Sequence, residues 1–412
     1  MAVPRPEDYM MEIGPMGPIG EGHALILRVN RNCPWNRCLF CPVYKGKRFS
    51  PRDVDEIKGD IDAVCRIWNL LDTTSWEIGL NGRIQREVLQ EVMLSHPQIY
   101  GEYPVDFTQE QLCALQSLNN VANWLSYGAT RVFLQDANAL VMKPKKLIEV
   151  LRYLRQTVST VDTVTCYARA KTCEMRSFEE LRELKDAGLS WCFIGIESGC
   201  DDVLDYMKKG VTKKEHIEGG QKVMASGLNM AAFVMPGLSG GNRGLAKRHI
   251  SDTINVLNEI GPTEVRVRSL AILECAPLYE RWEIGEFAAP GEDQMVEELR
   301  LLIEGLTFDC TFETLQLTNP LFTVKGMLSQ KRRAMLERIE GYQGLSPLEK
   351  ADFLLHRYVD EGYLACVKSW GMYDSHLKTL IEDAMASLEK GSPDAGLKVG
   401  RAVFAIKSKG VP

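Results

Sequence analysis

Three cysteines stand close together near the start of the chain, in the stretch NCPWNRCLFCPVYKG. Cys33, Cys38 and Cys41 are separated by four and two residues, and thiolates are soft ligands that suit iron–sulfur clusters or zinc. A structural zinc ion needs four ligands, so a fourth would have to come from elsewhere, for instance His23. An electron-carrier ferredoxin also uses four cysteines per cluster. Three therefore favour a [4Fe-4S] cluster with one iron open to a small molecule, with zinc or chance clustering of buried thiols as the alternatives.

The remaining nine cysteines are scattered, and scattered cysteines are mostly small buried hydrophobic residues. The chain start, MAVPRPEDYMMEIG, has charges at Arg5, Glu7 and Asp8, where a signal peptide would have an apolar stretch. No run of about twenty predominantly apolar residues is present, so we expect no membrane span. We therefore expect a cytoplasmic protein without a disulfide framework.

Composition excludes several classes of protein. The 412 residues are 45% hydrophobic and 25% charged, which is typical of a globular chain and not of a disordered one. Lys and Arg total 49 against 55 for Asp and Glu, a net charge of −6. That balance supplies no overall attraction to phosphate, so we do not expect a nucleic-acid partner.

The cysteine cluster directly follows an aliphatic stretch, HALILRV, that predicts a first strand. Five further apolar stretches predict strands, and amphipathic helices separate them. Alternating strands and helices imply a parallel sheet with helices outside it, and six such units predict a partial (β/α)6 TIM-like barrel. In such a sheet, ligands bind at the carboxyl ends of the strands, where the cysteines lie. The predicted strands are 23–29, 131–137, 163–170, 191–198, 230–235 and 264–273.

Three segments are predicted along the chain. An N-terminal segment covers 1–22, the barrel covers 23–285, and a mostly helical C-terminal extension covers 286–412. The barrel includes an insertion at about 72–109 that we expect to be irregular, because it is rich in Gly, Pro and Tyr. The chain end is expected to form a short strand at 400–406, GRAVFAI.

Motifs at successive strand ends carry a family resemblance. They read FLQDANAL, TCYARAKTC, FIGIESGCDDVLDYMKKGVT, AAFVMPGLSGGNRG and RVRSLAILECAPLYE. With the cysteine loop before them, they resemble radical S-adenosylmethionine (SAM) enzymes, in particular the coproporphyrinogen-oxidase-like, Elp3-like and methylthiotransferase-like members. The first cysteine spacing, four residues, departs from the commonest spacing of three. Gln135 and Ala137 stand where the family often has glycines.

The resemblance implies a set of cofactor-binding residues. Cys33, Cys38 and Cys41 would hold the cluster, and Phe40 would lie beside the SAM adenine. Asp136 would meet the SAM ammonium and Arg169 its carboxylate, both through charge-assisted hydrogen bonds. The other residues expected at the SAM site are Gln135, Asn138, Tyr167, Glu197, Met235 and Gly237.

The resemblance also implies a reaction. The reduced cluster would cleave SAM to methionine and a 5′-deoxyadenosyl radical, which abstracts hydrogen from a small organic substrate. An electron donor such as flavodoxin or ferredoxin would supply the electron. The alternatives are a methyltransferase that uses a second SAM, a tRNA-modifying enzyme, and a non-catalytic iron–sulfur or zinc protein.

Overall fold

The protein is described from a computed structural model that covers residues 5–17, 20–102 and 106–410. The chain forms two compact units. The first comprises Met1–Pro34, Gly46–Phe193 and Ala225–Asn229, and the second comprises Trp35–Lys45, Ile194–Met224 and Met230–Pro412. The cysteine stretch is therefore divided, with Cys33 in the first unit and Cys38 and Cys41 in the second.

The first unit has a parallel sheet of aliphatic strands whose side chains are largely buried. Strand β4 pairs in parallel with β1 on one side and with β5 on the other, which brings the carboxyl ends of all three to one edge. A short antiparallel pair, β2 and β3, follows the first strand. The strands of this unit are β1 (Leu25–Arg28), β2 (Asn30–Arg31), β3 (Ser50–Pro51), β4 (Arg131–Gln135) and β5 (Thr163–Ala168).

Two helices of the first unit begin at capping boxes formed by a Thr or a Ser. Thr108 and Ser177 each accept a hydrogen bond from the third residue of their helix in a capping box. Gly188 has φ +120° just past the helix Phe178–Asp186, a backbone angle that favours glycine after a helix end. The helices are α1 (Val54–Glu77), α2 (Arg86–Ser95), α3 (Pro97–Tyr100), α4 (Gln109–Ser126), α5 (Pro144–Thr157), α6 (Ala170–Met175) and α7 (Phe178–Asp186).

The expectation of an irregular segment at 72–109 is wrong for most of its described residues. Helix α1 continues to Glu77, and α2 and α3 follow it. Val88 and Val92, one turn apart on α2, are both fully buried, and this spacing is the helical signal. Pro97 occupies the first turn of α3, where no N–H is needed, so this proline is compatible with a helix.

Strand β6 (Leu189–Glu197) contributes to both units, and the second unit continues the strand–helix alternation. In it, β8 pairs in parallel with β7 and with β9, and β10 pairs antiparallel with β9. The strand expected at 264–273 ends at Val267, and the last two strands were not predicted because three residues show no alternation. These strands are β7 (Asn229–Val234), β8 (Glu264–Val267), β9 (Thr311–Glu313) and β10 (Lys325–Met327).

The C-terminal part of the second unit is helical, as expected, except that its last element was assigned wrongly. The expected strand at 400–406 lies inside a helix, α17. Val399, Ala402, Val403 and Ile406 are buried at spacings of three and four, which is a helical period. The helices of this unit are α8 (Asp201–Tyr206), α9 (Lys213–Ala225), α10 (Arg243–Ile260), α11 (Pro277–Glu283), α12 (Glu292–Gly305), α13 (Leu328–Gln343), α14 (Pro347–Val359), α15 (Tyr363–Ser369), α16 (Ser375–Glu389) and α17 (Ala395–Ser408).

None of the helices in the described part of the chain combines the length and the apolar character needed to cross a bilayer.

Candidate cluster and cofactor site

A loop of the second unit carries Cys38 and Cys41. Between them, the Leu39 N–H donates to the Met207 carbonyl at 3.0 Å, and the Leu39 carbonyl accepts from the Leu278 N–H at 2.9 Å. The Cys41 N–H donates to the Cys38 carbonyl at 3.4 Å, so both cysteines belong to one turn. Both are half-exposed. The backbone between the two thiols is therefore fixed by hydrogen bonds to residues outside the loop.

Trp35 attaches the same loop to the segment after α8. Its indole Nε1 donates to the Lys208 carbonyl at 2.7 Å. Gly210 has φ +65°, and a Cβ there would lie 2.1 Å from Cζ2 of the indole. Only glycine fits both the backbone angle and the space under the ring. No role was predicted from the sequence for Trp35 or Gly210. The signal available was the position of Trp35 between two of the clustered cysteines.

A buried ion pair lies beside Phe40. Lys209 Nζ is 3.0 Å from Glu197 Oε1 and 5.7 Å from the centroid of the Phe40 ring. Both charged side chains are 12% exposed, so each carries much of its charge away from water. Gly195 leaves room for the pair, because a Cβ there would lie 2.1 Å from Glu197 Oε1. The structure thus gives Glu197 a cation in its own chain, and its SAM contact stays a prediction.

Asp136, at the end of β4, connects to the residue that precedes Cys33. Its side chain is fully buried. Oδ2 accepts from the Asn32 backbone N–H at 2.9 Å and from Arg28 Nε at 2.8 Å. This acid therefore fixes the backbone next to the first cysteine. Its contact with the SAM ammonium stays a prediction.

Gln135 and Tyr167, also at strand ends, contact the N-terminal segment. Gln135 Oε1 accepts from the Gly14 N–H at 2.7 Å, and Nε2 donates to the carbonyls of Gly14 and Met16. The Tyr167 hydroxyl donates to the Gly17 carbonyl at 3.3 Å. The polar groups expected to face SAM are thus engaged by the chain's own backbone.

Asn138 and Arg169 lie near the start of α6. Asn138 Nδ2 donates to Thr172 Oγ1 at 2.8 Å. Its buried Oδ1 has no hydrogen-bond partner among the described residues, so it remains able to accept from a ligand. Arg169 is half-buried and is the N-cap residue of α6. Both remain predicted SAM contacts.

Gly237 and Met235 follow β7. Gly237 has φ +84°, its N–H donates to Glu298 Oε2 at 2.7 Å, and a Cβ there would lie 2.9 Å from Met295 Sδ. Met235 is buried in an apolar cluster that includes Leu39 of the cysteine loop. The glycine permits close approach of α12, and its contact with adenine stays a prediction.

Glu298, which was not predicted from the sequence, belongs to a buried polar network. Burial raises its pKa to about 7, although hydrogen bonds from Gln294 and from the Gly237 N–H act in the opposite direction. His249 Nε2 lies 3.9 Å from Glu298 Oε2, and burial lowers the pKa of this histidine to about 4. On its other side the ring is 2.7 Å from Ser198 Oγ, just after β6.

The model of the radical SAM superfamily matches residues 27–247, which is more than half of the chain. The chain therefore belongs to the radical SAM superfamily. It is an enzyme, and the α/β TIM-like barrel class predicted from the strand–helix alternation is confirmed. Members of this family use a [4Fe-4S] cluster and SAM.

Individual relatives are distant. The tRNA uridine(34) acetyltransferase of Methanocaldococcus jannaschii is 24% identical over 286 residues, which are 68% of this chain and 48% of that protein. The enzyme of the same name from Methanocaldococcus infernus is 24% identical over 161 residues, 39% of this chain and 29% of that protein. The chain thus spans half or less of the length of these curated relatives.

Solved structures are also only distantly similar. The archaeal Elp3 of Methanocaldococcus infernus with an N-terminal deletion has a TM-score of 0.35 and 18% identity, over 42% of this chain and 44% of that chain. The cobalamin-dependent SAM radical enzyme OxsB has a TM-score of 0.42 and 14% identity, over 93% and 53%.

The residues present suit the family's cofactors. The three clustered cysteines are partly exposed thiols, and thiolates are the ligands of iron–sulfur clusters. The orphaned Oδ1 of Asn138 offers an acceptor for a polar ligand. Within the described ranges, no three His, Cys, Asp or Glu side chains are arranged to hold a single metal ion.

Proposed function

We propose that Cys33, Cys38 and Cys41 are the three protein ligands of a [4Fe-4S] cluster whose fourth iron binds SAM. The observation that carries the proposal is the position of this trio: it follows β1 at its carboxyl end, inside the region that matches the family. When bound, the cluster and SAM supply a 5′-deoxyadenosyl radical that abstracts hydrogen from the substrate.

The chain's own residues position these groups. Asp136 fixes the backbone before Cys33 through Asn32, and the bonds at Leu39 fix the turn between the other two cysteines. Asn138 and Arg169 are offered as SAM contacts, the first through its unpaired acceptor and the second through its charge.

The proposed substrate is a small organic molecule, with flavodoxin or ferredoxin as the electron donor. The net charge of −6 favours this class over a polyanion, because it gives no overall electrostatic attraction to one.

Anaerobic reconstitution with iron and sulfide tests the cluster. The wild-type protein should bind both and form 5′-deoxyadenosine from SAM with dithionite, whereas Cys38→Ala should lose iron, sulfide and SAM cleavage together. Cys113→Ala, a half-exposed cysteine on α4, is the matched control and should behave as wild type. A Cys38→Ala protein that cleaves SAM at the wild-type rate would overturn the proposal.

A second candidate function is tRNA modification, which is favoured by the two relatives named as tRNA uridine(34) acetyltransferases. Gel-shift titration with bulk tRNA at low and physiological salt distinguishes the candidates, because phosphate contacts weaken steeply with salt. Tight, salt-sensitive binding that also changes the rate of SAM cleavage would favour tRNA. No binding at low salt would leave the small-molecule substrate.

A further inference from the structure

The carboxyl ends of β1 and β4 in the first unit are covered by the N-terminal segment Met11–Gly17, here called the strap. The strap is held by Gln135 at Gly14 and Met16, and by Tyr167 at Gly17. Strand carboxyl ends are where open α/β sheets bind ligands. In this unit, part of that surface is therefore occupied by a piece of the chain itself.

Glu12 of the strap lies among three arginines. Arg31 Nη2 is 2.6 Å from Glu12 Oε2, Arg28 Nη1 is 3.0 Å from Oε1, and Arg52 Nε is 3.3 Å from Oε2. A planar guanidinium matches a carboxylate geometrically. Three guanidinium groups around one carboxylate therefore form a site that suits a carboxylate ligand.

The arginines do not depend on Glu12 for charge balance. Arg28 also pairs with Asp136, Arg31 with Glu56, and Arg52 with Asp60. Each arginine thus keeps a carboxylate when the strap is absent. Glu12 is the fourth acid in contact with these arginines, in addition to the three just named. If the Glu12 side chain moves away, each arginine still has a carboxylate partner.

Arg52 shows that Glu12 does not fill the site completely. Its side chain is only 3% exposed, yet its Nε has no hydrogen-bond partner among the described residues, although Glu12 Oε2 is 3.3 Å away. A buried donor of this kind is costly to leave unsatisfied. A free carboxylate, without the constraint of a peptide backbone, can reach all three arginines with better geometry.

The strap has features that favour its dissociation from the three arginines. It has no regular secondary structure and contains Gly14, Pro15 and Gly17. Met11 is its only buried residue. The Glu12 side chain is 29% exposed, so water and solutes reach it. Segments with few buried apolar contacts open at low free-energy cost.

We propose that Arg28, Arg31 and Arg52 form a binding site for the carboxylate of a small-molecule ligand, and that Glu12 of the strap occupies this site until the ligand displaces it. This inference rests on the proposed function only in taking the strand ends as the ligand side. The 5′-deoxyadenosine assay described above does not depend on it, so the two can fail separately.

The first test is rescue of a variant by an added carboxylate, on the reconstituted holoprotein. Glu12→Ala should gain about 3 °C in melting temperature with saturating acetate. Neutral acetamide, and sodium chloride at equal ionic strength, should give no such gain.

The gain in melting temperature with acetate should disappear in Glu12→Ala/Arg31→Gln. Glu7→Ala, an exposed acid upstream in the same segment, should show no acetate-specific gain. Equal responses to acetate, acetamide and chloride would overturn the site.

The second test asks whether the strap moves in the wild-type protein. Amide hydrogen exchange at Gly14, whose N–H is bonded to Gln135, should accelerate severalfold with excess acetate, but not with acetamide or matched chloride. Exchange at Ile61 in the middle of α1 should not change. If acetate saturates the Glu12→Ala site but leaves Gly14 exchange unchanged in wild type, Glu12 is a permanent structural partner and the proposal is wrong.

Discussion

The carboxylate of Asp136 accepts a hydrogen bond of 2.9 Å from the backbone N–H of Asn32, the residue immediately before Cys33. Arg28 balances the same carboxylate at 2.6 Å. The acid is fully buried, so its charge, its arginine and the chain entering the cysteine stretch are held as one arrangement. This arrangement fixes the backbone next to Cys33, the proposed cluster ligand, before any cluster binds.

Asp136→Asn should therefore disturb the first cysteine as well as the fold. Removing the charge weakens the pairing of buried Arg28, and we expect the free energy of unfolding to fall by about 3 kcal/mol. Urea denaturation measures this change. Iron content after anaerobic reconstitution should fall in parallel, because the Asn32 backbone is less firmly held.

The control for this prediction is Asp186→Asn, an exposed acid at the end of α7. Its stability should stay within about 0.5 kcal/mol of wild type, with unchanged iron content. An Asp136→Asn protein with both wild-type stability and full iron would contradict the role given to this acid.

Helix glycines provide a second, matched comparison. Gly341 lies inside α13, and a Cβ there would meet nothing within 4 Å. Gly341→Ala should stabilise the protein by about 0.7 kcal/mol, because alanine loses less backbone entropy on folding.

Gly220 lies inside α9, but a Cβ there would be 2.7 Å from Ile260 Cδ1. Gly220→Ala should therefore give no gain in the same urea experiment, because the packed isoleucine must shift. Equal stabilisation by both substitutions would show that the packing at Gly220 is looser than the structure has it.

Much of the architecture follows from periodicity in the sequence. Apolar stretches such as Arg131–Gln135 and Thr163–Ala168 form strands within the predicted ranges 131–137 and 163–170. The errors fall where two signals compete. At 400–406, β-branched and aromatic residues favoured a strand. The residues that are buried from Val399 to Ile406 have the spacing of a helix, and the segment is helical.

The candidate site was less readable than the fold. The cysteine trio is local in sequence, so its spacing is visible. The partners that fix the site come from far along the chain: Arg28 reaches Asp136 across 108 residues, and Glu298 reaches Gly237 across 61. The sequence gives no signal for the arginine beside Asp136, and the SAM contact that the family resemblance implies for this acid stays a prediction.

The ion pair of Glu197 and Lys209 gives a third prediction. Lys209→Met removes the cation 3.0 Å from a carboxylate that is 12% exposed, and we expect the free energy of unfolding to fall by about 3 kcal/mol. Glu197→Gln/Lys209→Met should recover most of that loss, because no buried charge is then left over. A double-mutant cycle with Glu197→Gln measures the coupling.

Lys214→Met is the control for this cycle, since Lys214 is 81% exposed and, among the described residues, forms its ion pair with Glu218 on its own helix. It should change stability by less than about 0.5 kcal/mol. If Lys209→Met costs no more than this surface change, the pair beside Phe40 contributes nothing to the fold.

The buried Glu298 predicts a pH dependence. Burial raises its pKa to about 7 in the folded protein, against about 4.3 in an unfolded chain. Between these values the folded state binds more protons than the unfolded state, so this acid makes stability fall as pH rises from about 4.3 to 7. The loss amounts to roughly 3 kcal/mol above pH 7.

His249, 3.9 Å away, acts with the opposite sign. Burial lowers its pKa to about 4, so the unfolded state binds more protons between about 4 and 6.5, and this histidine makes stability rise with pH across that range. The pH dependences that Glu298 and His249 give to the free energy of unfolding nearly cancel in the wild-type protein. The stability of the wild-type protein measured against pH therefore does not reveal either one.

Glu298→Gln separates them. The variant keeps a hydrogen-bond acceptor for the Gly237 N–H but no longer titrates. The stability of the variant minus that of wild type should therefore increase by about 3 kcal/mol between pH 4 and pH 8 in urea denaturation. The neighbouring Glu297→Gln should change in the opposite direction, because the Arg300 hydrogen bond lowers the pKa of Glu297. A difference for Glu298→Gln that stays flat across this range would mean that Glu298 is already ionised at pH 5.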